Sequence, residues 1–168
     1  MLFLSCQPDG KQKTIIVDNK YSISIPAFLK KVNNLNKKAS LQYQHVAKEF
    51  YIIGLDEPKT NFYNAIDNHN MNDLFSKDLE GYMHLVCLSI KQNSSNYSDS
   101  EVLDTLINGL PAKFLTISAH IDGSDLFYSL AFIEGKSRYY QIVAWTLLSK
   151  EDQYKDKMSQ IMYSFKEL

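Results

Sequence analysis

Four histidines and two cysteines are the side chains in this sequence best suited to acid–base, nucleophilic or metal chemistry. His45 and His120 both fall in stretches with strand periodicity, and either is a candidate general base for a small enzyme whose site is assembled from distant residues. Ser118, His120 and Asp122 have the residue types of a serine triad, but triads are assembled from distant segments and not from one strand. We therefore expect no catalytic residues, and an enzyme is the alternative hypothesis.

Metal, cofactor and nucleic-acid chemistry are all poorly supported by the sequence. The oxygen-rich stretch 67–73 fails as a calcium loop, because the sixth and twelfth positions counted from Asn68 hold Asp73 and Leu79 instead of Gly and Glu. No glycine-rich phosphate loop or zinc pattern occurs, and Arg138 is the only arginine. The net charge of −1 argues against binding to nucleic-acid phosphates. We expect no metal, no cofactor and no nucleic-acid partner.

Cys6 suggests chemistry of a different kind. Apolar residues followed by Ser5 and Cys6 resemble the end of a bacterial lipoprotein signal, in which the cysteine is acylated. The polar segment 7–13 would then separate the protein from the membrane, so residues 1–13 are interpreted as a signal remnant and flexible tether. A complete signal also has a basic start and a 7–15-residue apolar core. If Met1 is the native start, the expected location is the cytoplasm instead of the cell envelope.

Aromatic residues provide the remaining indication of a binding surface. Phe127, Tyr128, Tyr139 and Tyr140 lie on two neighbouring predicted strands, together with Trp145. Packing beneath helices is the simpler interpretation. The alternative is a partner or ligand surface, because exposed aromatic side chains are enriched in interfaces. A small-molecule carrier would show a pocket of roughly 300 Å³ or more lined by these residues.

The first half of the chain predicts strands followed by one helix. A chain of 168 residues buries roughly 70% of its unfolded surface, which is enough for one domain with its own core. We expect a hairpin of strands 14–17 and 21–25, a helical turn over 28–32, strands 40–46 and 49–56, a helix over 73–90 and a loop over 91–99. Asn72 or Asp73 is the expected cap of that helix.

The second half predicts strand 102–107, a three-strand meander that ends near Leu147, and a closing helix capped by Ser149. The parity of the meander places Ile142 and Trp145 on opposite faces of one strand. Because the central strands are apolar on both faces, helices should cover both sides of the sheet. The predicted fold class is α+β, an antiparallel sheet sandwiched between helices.

Five stretches carry a family resemblance, and they span residues 14–166: 21–26, 39–43, 48–53, 140–146 and 164–165. A strand that runs into Pro26, a covered central strand and a closing Ser164-Phe165 resemble the PsbP-like α/β sandwich, in particular small envelope lipoproteins of Bacteroidetes-type bacteria. The resemblance implies a PsbP-like domain over residues 14–168, no common enzymatic activity, and a role in binding or assembly. The pattern at Cys6 predicts the membrane as one partner, and an unidentified protein is the other expected partner.

Overall fold

The computed structural model describes residues 10–168, which form two antiparallel sheets and three helices. The elements are β1 Gln12–Val17, β2 Tyr21–Pro26, β3 Lys30–Lys31, β4 Leu41–His45, β5 Phe50–Pro58, α1 Lys59–Asn68, α2 Leu79–Gln92, β6 Ser95–Asp99, β7 Leu103–Ile107, β8 Leu110–Ile121, β9 Ser124–Glu134, β10 Arg138–Leu147, α3 Glu151–Tyr163 and β11 Lys166–Glu167. The large sheet has the order β3-β4-β5-β10-β9-β8-β6, with β7 also paired to β8, and the small sheet has the order β1-β2-β11.

Both faces of the large sheet are covered, which confirms the predicted α+β sandwich. Helices α1 and α2 pack on one face through buried residues that include Phe62, Ile66 and Tyr82. Helix α3 and the small sheet pack together on the other face. The second covering layer is therefore part helix and part sheet, because the hairpin of β1 and β2 also has an apolar side to bury.

The two faces of β10 behave as its parity predicts. Ile142 is fully buried in the core that contains α3 and the small sheet. Trp145 packs against the core on the opposite side, where α2 lies. The meander of β8, β9 and β10 is also confirmed, with antiparallel registers throughout.

The predicted helix over 73–90 is wrong in its bounds, and a second helix that was not predicted precedes it. Helix α1 follows directly on Pro58, and α2 begins only at Leu79. Neither Asn72 nor Asp73 caps α2; the cap is Asp78, whose carboxylate accepts hydrogen bonds from the Gly81 N–H (2.9 Å) and the Ser76 hydroxyl (2.6 Å). Phe75 precedes α2 but has the spacing of its apolar face and is buried with it. The helical periodicity therefore predicted a start of the helix that is too early.

Gly81 is explained by this capping loop. A Cβ atom at Gly81 would overlap the backbone of Ser76, which crosses directly over the first turn of α2. The weak helix propensity of glycine is therefore offset by a close backbone approach that no other residue permits.

Several shorter predictions are also corrected. Residues 28–32 form no helical turn but contain β3, which pairs with β4. The predicted loop 91–99 contains β6, whose partner β8 lies far along the chain. Ser149 does not cap α3; it lies within the 3₁₀ turn Leu148–Lys150, which precedes the helix. Strand β1 begins at Gln12, two residues before the predicted start of the domain.

An ion cluster joins the two sheets. Asp56 on β5 accepts hydrogen bonds from Lys20, in the turn between β1 and β2, and from Arg138 on β10, each at 2.7 Å. Its side chain is 6% exposed. The two cations compensate for the hydration that the Asp56 carboxylate loses on burial, so the cluster adds little net free energy of folding. Its main effect is to fix the position of the small sheet on the large one.

Thr146→Val is expected to raise the free energy of unfolding by about 1 kcal/mol, because the Thr146 hydroxyl is buried with no hydrogen-bond partner among the described residues. Valine keeps the shape and removes the unsatisfied group. Thr146→Ser is the matched control and should lower stability, since it keeps the hydroxyl and loses the methyl group. Urea unfolding measures both. A loss of stability in Thr146→Val would show that the hydroxyl makes a stabilising interaction.

Candidate functional site

A groove of about 860 Å³ lies between the large sheet and the C-terminal half of α2. Its floor is one face of four neighbouring strands, and its wall is one side of the helix. Apolar side chains predominate in both. The floor and wall residues are Tyr51, Ile53, Leu55, Ile121, Leu126, Tyr128, Gln141, Val143, Trp145, Leu147, Leu85, Val86, Ser89 and Ile90.

Three aromatic rings form a row across the floor. Trp145 on β10 is the direct register partner of Tyr51 on β5 and of Tyr128 on β9. The rings of Tyr51 and Trp145 stack at 5.3 Å between centroids, and those of Trp145 and Tyr128 at 6.2 Å. Such cross-strand aromatic pairs each contribute about 0.5–1.5 kcal/mol beyond their burial. The row is thus a rigid part of the floor.

The groove exists because α2 covers the sheet unevenly. Its N-terminal half is packed tightly: Tyr82 stacks on Tyr139 at 5.0 Å and meets Phe62 of α1 edge to face. Its C-terminal half has no such partners, and Val86 and Ile90 remain only partly buried. Apolar side chains on the helix and on the sheet therefore face a shared open space.

Polar groups are few and lie near the ends of the groove. Glu49 accepts a hydrogen bond from the Tyr51 hydroxyl (2.9 Å), and burial together with this bond raises the pKa of Tyr51. Burial also raises the pKa of Tyr128 to about 12, so its hydroxyl stays neutral. The Gln141 amide, in a residue that is only 9% exposed, lines the groove and has no hydrogen-bond partner among the described residues.

Most of the predicted aromatic set is buried, in agreement with the simpler interpretation, and does not form a surface. Phe127, Tyr139 and Tyr140 are buried in the two cores, with at most 3% of each residue exposed. The physical reason is that sequence neighbours on a strand point to opposite faces, and here both faces are covered. Tyr128 is the one member of the predicted set that lines the groove. Tyr51 was missed, although it lies in a run that was recognised as a covered central strand.

The two candidate bases lie far apart. His45 is on β4 and His120 on β8, four strand spacings or about 19 Å away. Each has a local contact: His45 accepts a hydrogen bond from the Lys48 N–H (3.2 Å), and His120 pairs with Asp125 across the hairpin of β8 and β9 (2.8 Å). They do not form a common site, and neither lines the groove.

The cysteines and the search for metal ligands add no second site. Cys87 is half-buried on α2, and burial raises the pKa of its thiol to about 11. Cys6 lies outside the described residues. Within residues 10–168, no three His, Cys, Asp or Glu side chains converge in a way that could hold a metal ion. Over the same range, no helix has the length and apolar character needed to cross a membrane.

Comparison with known proteins identifies the fold. No protein-family model and no curated protein matches the sequence. The solution structure of the cyanobacterial PsbP protein (CyanoP) from Synechocystis sp. PCC 6803 superposes with a TM-score of 0.58 at 10% identity, over 98% of each chain. The crystal structure of LpqN, involved in cell envelope biogenesis of Mycobacterium tuberculosis, gives 0.58 at 10% identity, over 94% of this chain and 90% of that one. The chain therefore has a PsbP-like fold, as its sequence resemblance predicts.

Proposed function

We propose that this protein is a non-catalytic accessory protein of the bacterial cell envelope that binds an apolar ligand in the groove between α2 and the large sheet. The groove itself is the observation that carries the proposal. Its volume of about 860 Å³ is within the range of small-molecule sites, and its lining is mostly apolar with few polar groups.

The energetics favour an apolar occupant. Removing about 150 Å² of apolar surface from water contributes about 4 kcal/mol. The row of Tyr51, Trp145 and Tyr128 is held by strand pairing before any ligand arrives, so little conformational entropy is lost on binding.

Val86→Glu is expected to weaken binding of a neutral apolar dye, N-phenyl-1-naphthylamine, by at least about tenfold, because it places a charge on the wall of the groove. Trp145 lines the groove and is the only tryptophan, so energy transfer to the dye detects binding, and its loss in Val86→Glu places the dye in the groove. The matched control is Leu88→Glu on the same helix, where Leu88 is exposed and outside the groove. Absence of dye binding to the wild type, or equal binding by Val86→Glu, would overturn the proposal.

Envelope location and a lipid anchor at Cys6 belong to the same proposal. The lipoprotein-like sequence that ends at Cys6 supports them, and so does the description of LpqN as a protein of cell envelope biogenesis. Acyl chains at Cys6 would hold the protein at a membrane, since each buried CH₂ contributes about 0.8 kcal/mol. The groove would then lie near a source of apolar molecules.

Cys6→Ala is expected to abolish labelling of the full-length native gene product by a clickable palmitate in growing cells. Cys87→Ala is the control and should keep the label, because its thiol lies on a helix of the folded domain. Label that persists in Cys6→Ala, or that never appears in the wild type, would contradict the anchor.

A further inference from the structure

The two ends of the groove differ in charge. Along β10 the floor runs from Gln141 to Leu147, a length of about 20 Å. Lys38 lies at the Gln141 end of the groove. Two residues after it, the Ser40 N–H donates a hydrogen bond to the Gly54 carbonyl (2.9 Å), and Leu55, which follows Gly54 on β5, pairs with Gln141. Glu49 and Asp122 also line the groove. Glu49 directly precedes β5, which runs antiparallel to β10, so Glu49 lies at the opposite end of the floor from Gln141. One end is therefore cationic and amide-bearing, and the other is acidic.

The polar side chains at the cationic end make no hydrogen bond or ion pair within residues 10–168. The Gln141 side chain is more than nine-tenths buried, lines the groove and makes no hydrogen bond within residues 10–168. The Lys38 ammonium group likewise has no ion-pair partner in the described part of the chain. The Gln141 amide N–H groups and the Lys38 ammonium group are therefore both available to donate to an acceptor bound in the groove.

From this arrangement we infer that the groove binds a single-chain fatty acid, with its carboxylate at Lys38 and Gln141 and its chain along Val143 and Trp145. The inference rests on the proposed function and names the ligand class for the same groove. The ammonium and the amide N–H groups donate to the carboxylate, and the apolar floor takes the chain. The reverse orientation would bring the carboxylate to Glu49 and Asp122, where like charges repel it.

The test uses quenching of Trp145 fluorescence by dibromostearate, a fatty acid brominated at mid-chain, below its critical micelle concentration. The matching brominated alcohol has the same chain and no charge. A charge-assisted hydrogen bond is lost with the alcohol, so the acid is expected to bind about tenfold or more tightly. Lys38→Met should remove most of this preference, because it weakens binding of the acid more than binding of the alcohol. Gln141→Leu should reduce the preference in the same direction.

Lys37→Met is the matched control, because Lys37 is an exposed neighbour that does not line the groove. Equal affinity for acid and alcohol, or an unchanged preference in Lys38→Met, would overturn the fatty-acid assignment while the proposed apolar site stands. Quenching by neither compound would also overturn the fatty-acid assignment. In that case, failure of the neutral dye to bind would overturn the proposed function as well, and binding of the dye would leave it standing. Binding of an apolar peptide in place of both brominated compounds would likewise overturn the assignment and would indicate a protein segment as the occupant.

Discussion

Ile142→Asp is expected to unfold the protein at ordinary temperatures. Ile142 is fully buried, and its register partners are Gly54 on β5 and Ala131 on β9, at the centre of the large sheet. The cluster around it is built of hydrophobic side chains, so a carboxylate there would be desolvated and unpaired. Substitutions of this kind cost more than about 4–5 kcal/mol, a large part of the stability of a single domain. Urea unfolding and thermal melting measure the effect.

Two controls separate burial from simple loss of isoleucine. Ile142→Val removes one methylene group and should cost about 0.5–1.5 kcal/mol. Ile16→Asp places the same charge at an isoleucine that is 64% exposed on β1, and it should change stability by about 0.5 kcal/mol or less. An unchanged melting temperature in Ile142→Asp would refute the two-sided sandwich.

Gly54→Ala is expected to lower stability by about 2–3 kcal/mol, the upper part of the range for overpacked cores. A Cβ atom at Gly54 would lie 2.5 Å from the Tyr21 hydroxyl and 3.2 Å from Leu41. Tyr21 has no room to move, because its ring stacks on Phe165 and meets Tyr140 edge to face. The small sheet therefore crosses the large one at a point that accepts only glycine.

A double-mutant cycle tests this cause. Tyr21→Phe removes the hydroxyl that meets the new methyl group, together with its hydrogen bond to Ser40 (3.1 Å). The double variant should be more stable than the sum of the single effects predicts, by about 1 kcal/mol. Gly10→Ala is the control, since a Cβ atom there meets nothing within 4 Å. Strict additivity of the two substitutions would show that the clash is elsewhere.

The parts of the fold that could be predicted are those set by local patterns. The Asp122-Gly123 turn and strict alternation define the meander, and the apolar run 49–56 identifies a strand covered on both sides. The small sheet illustrates the limit: β11 pairs with β2 although the two are separated by most of the chain. Pairing over such distances depends on packing that no local window contains.

The candidate site was predictable only in part, for the same physical reason. Parity places Trp145 and Tyr128 on one face, but the strand partner of each is set by the sheet order. Tyr51 joins the aromatic row because β5 pairs with β10, a connection across most of the sequence. The groove also depends on the tight packing of the N-terminal half of α2 through Tyr82, Phe62 and Tyr139, and tertiary packing decides that arrangement.

The most direct test of an apolar binding groove is the indole N–H resonance of Trp145 in a ¹⁵N-labelled sample. It is identifiable without assignment, because the sequence has one tryptophan. Titration with N-phenyl-1-naphthylamine should shift this resonance in the wild type, with saturation at one ligand per protein, and the same shift in Val86→Glu should require at least about tenfold more dye. A resonance that stays in place in the wild type while the dye binds elsewhere would contradict the account.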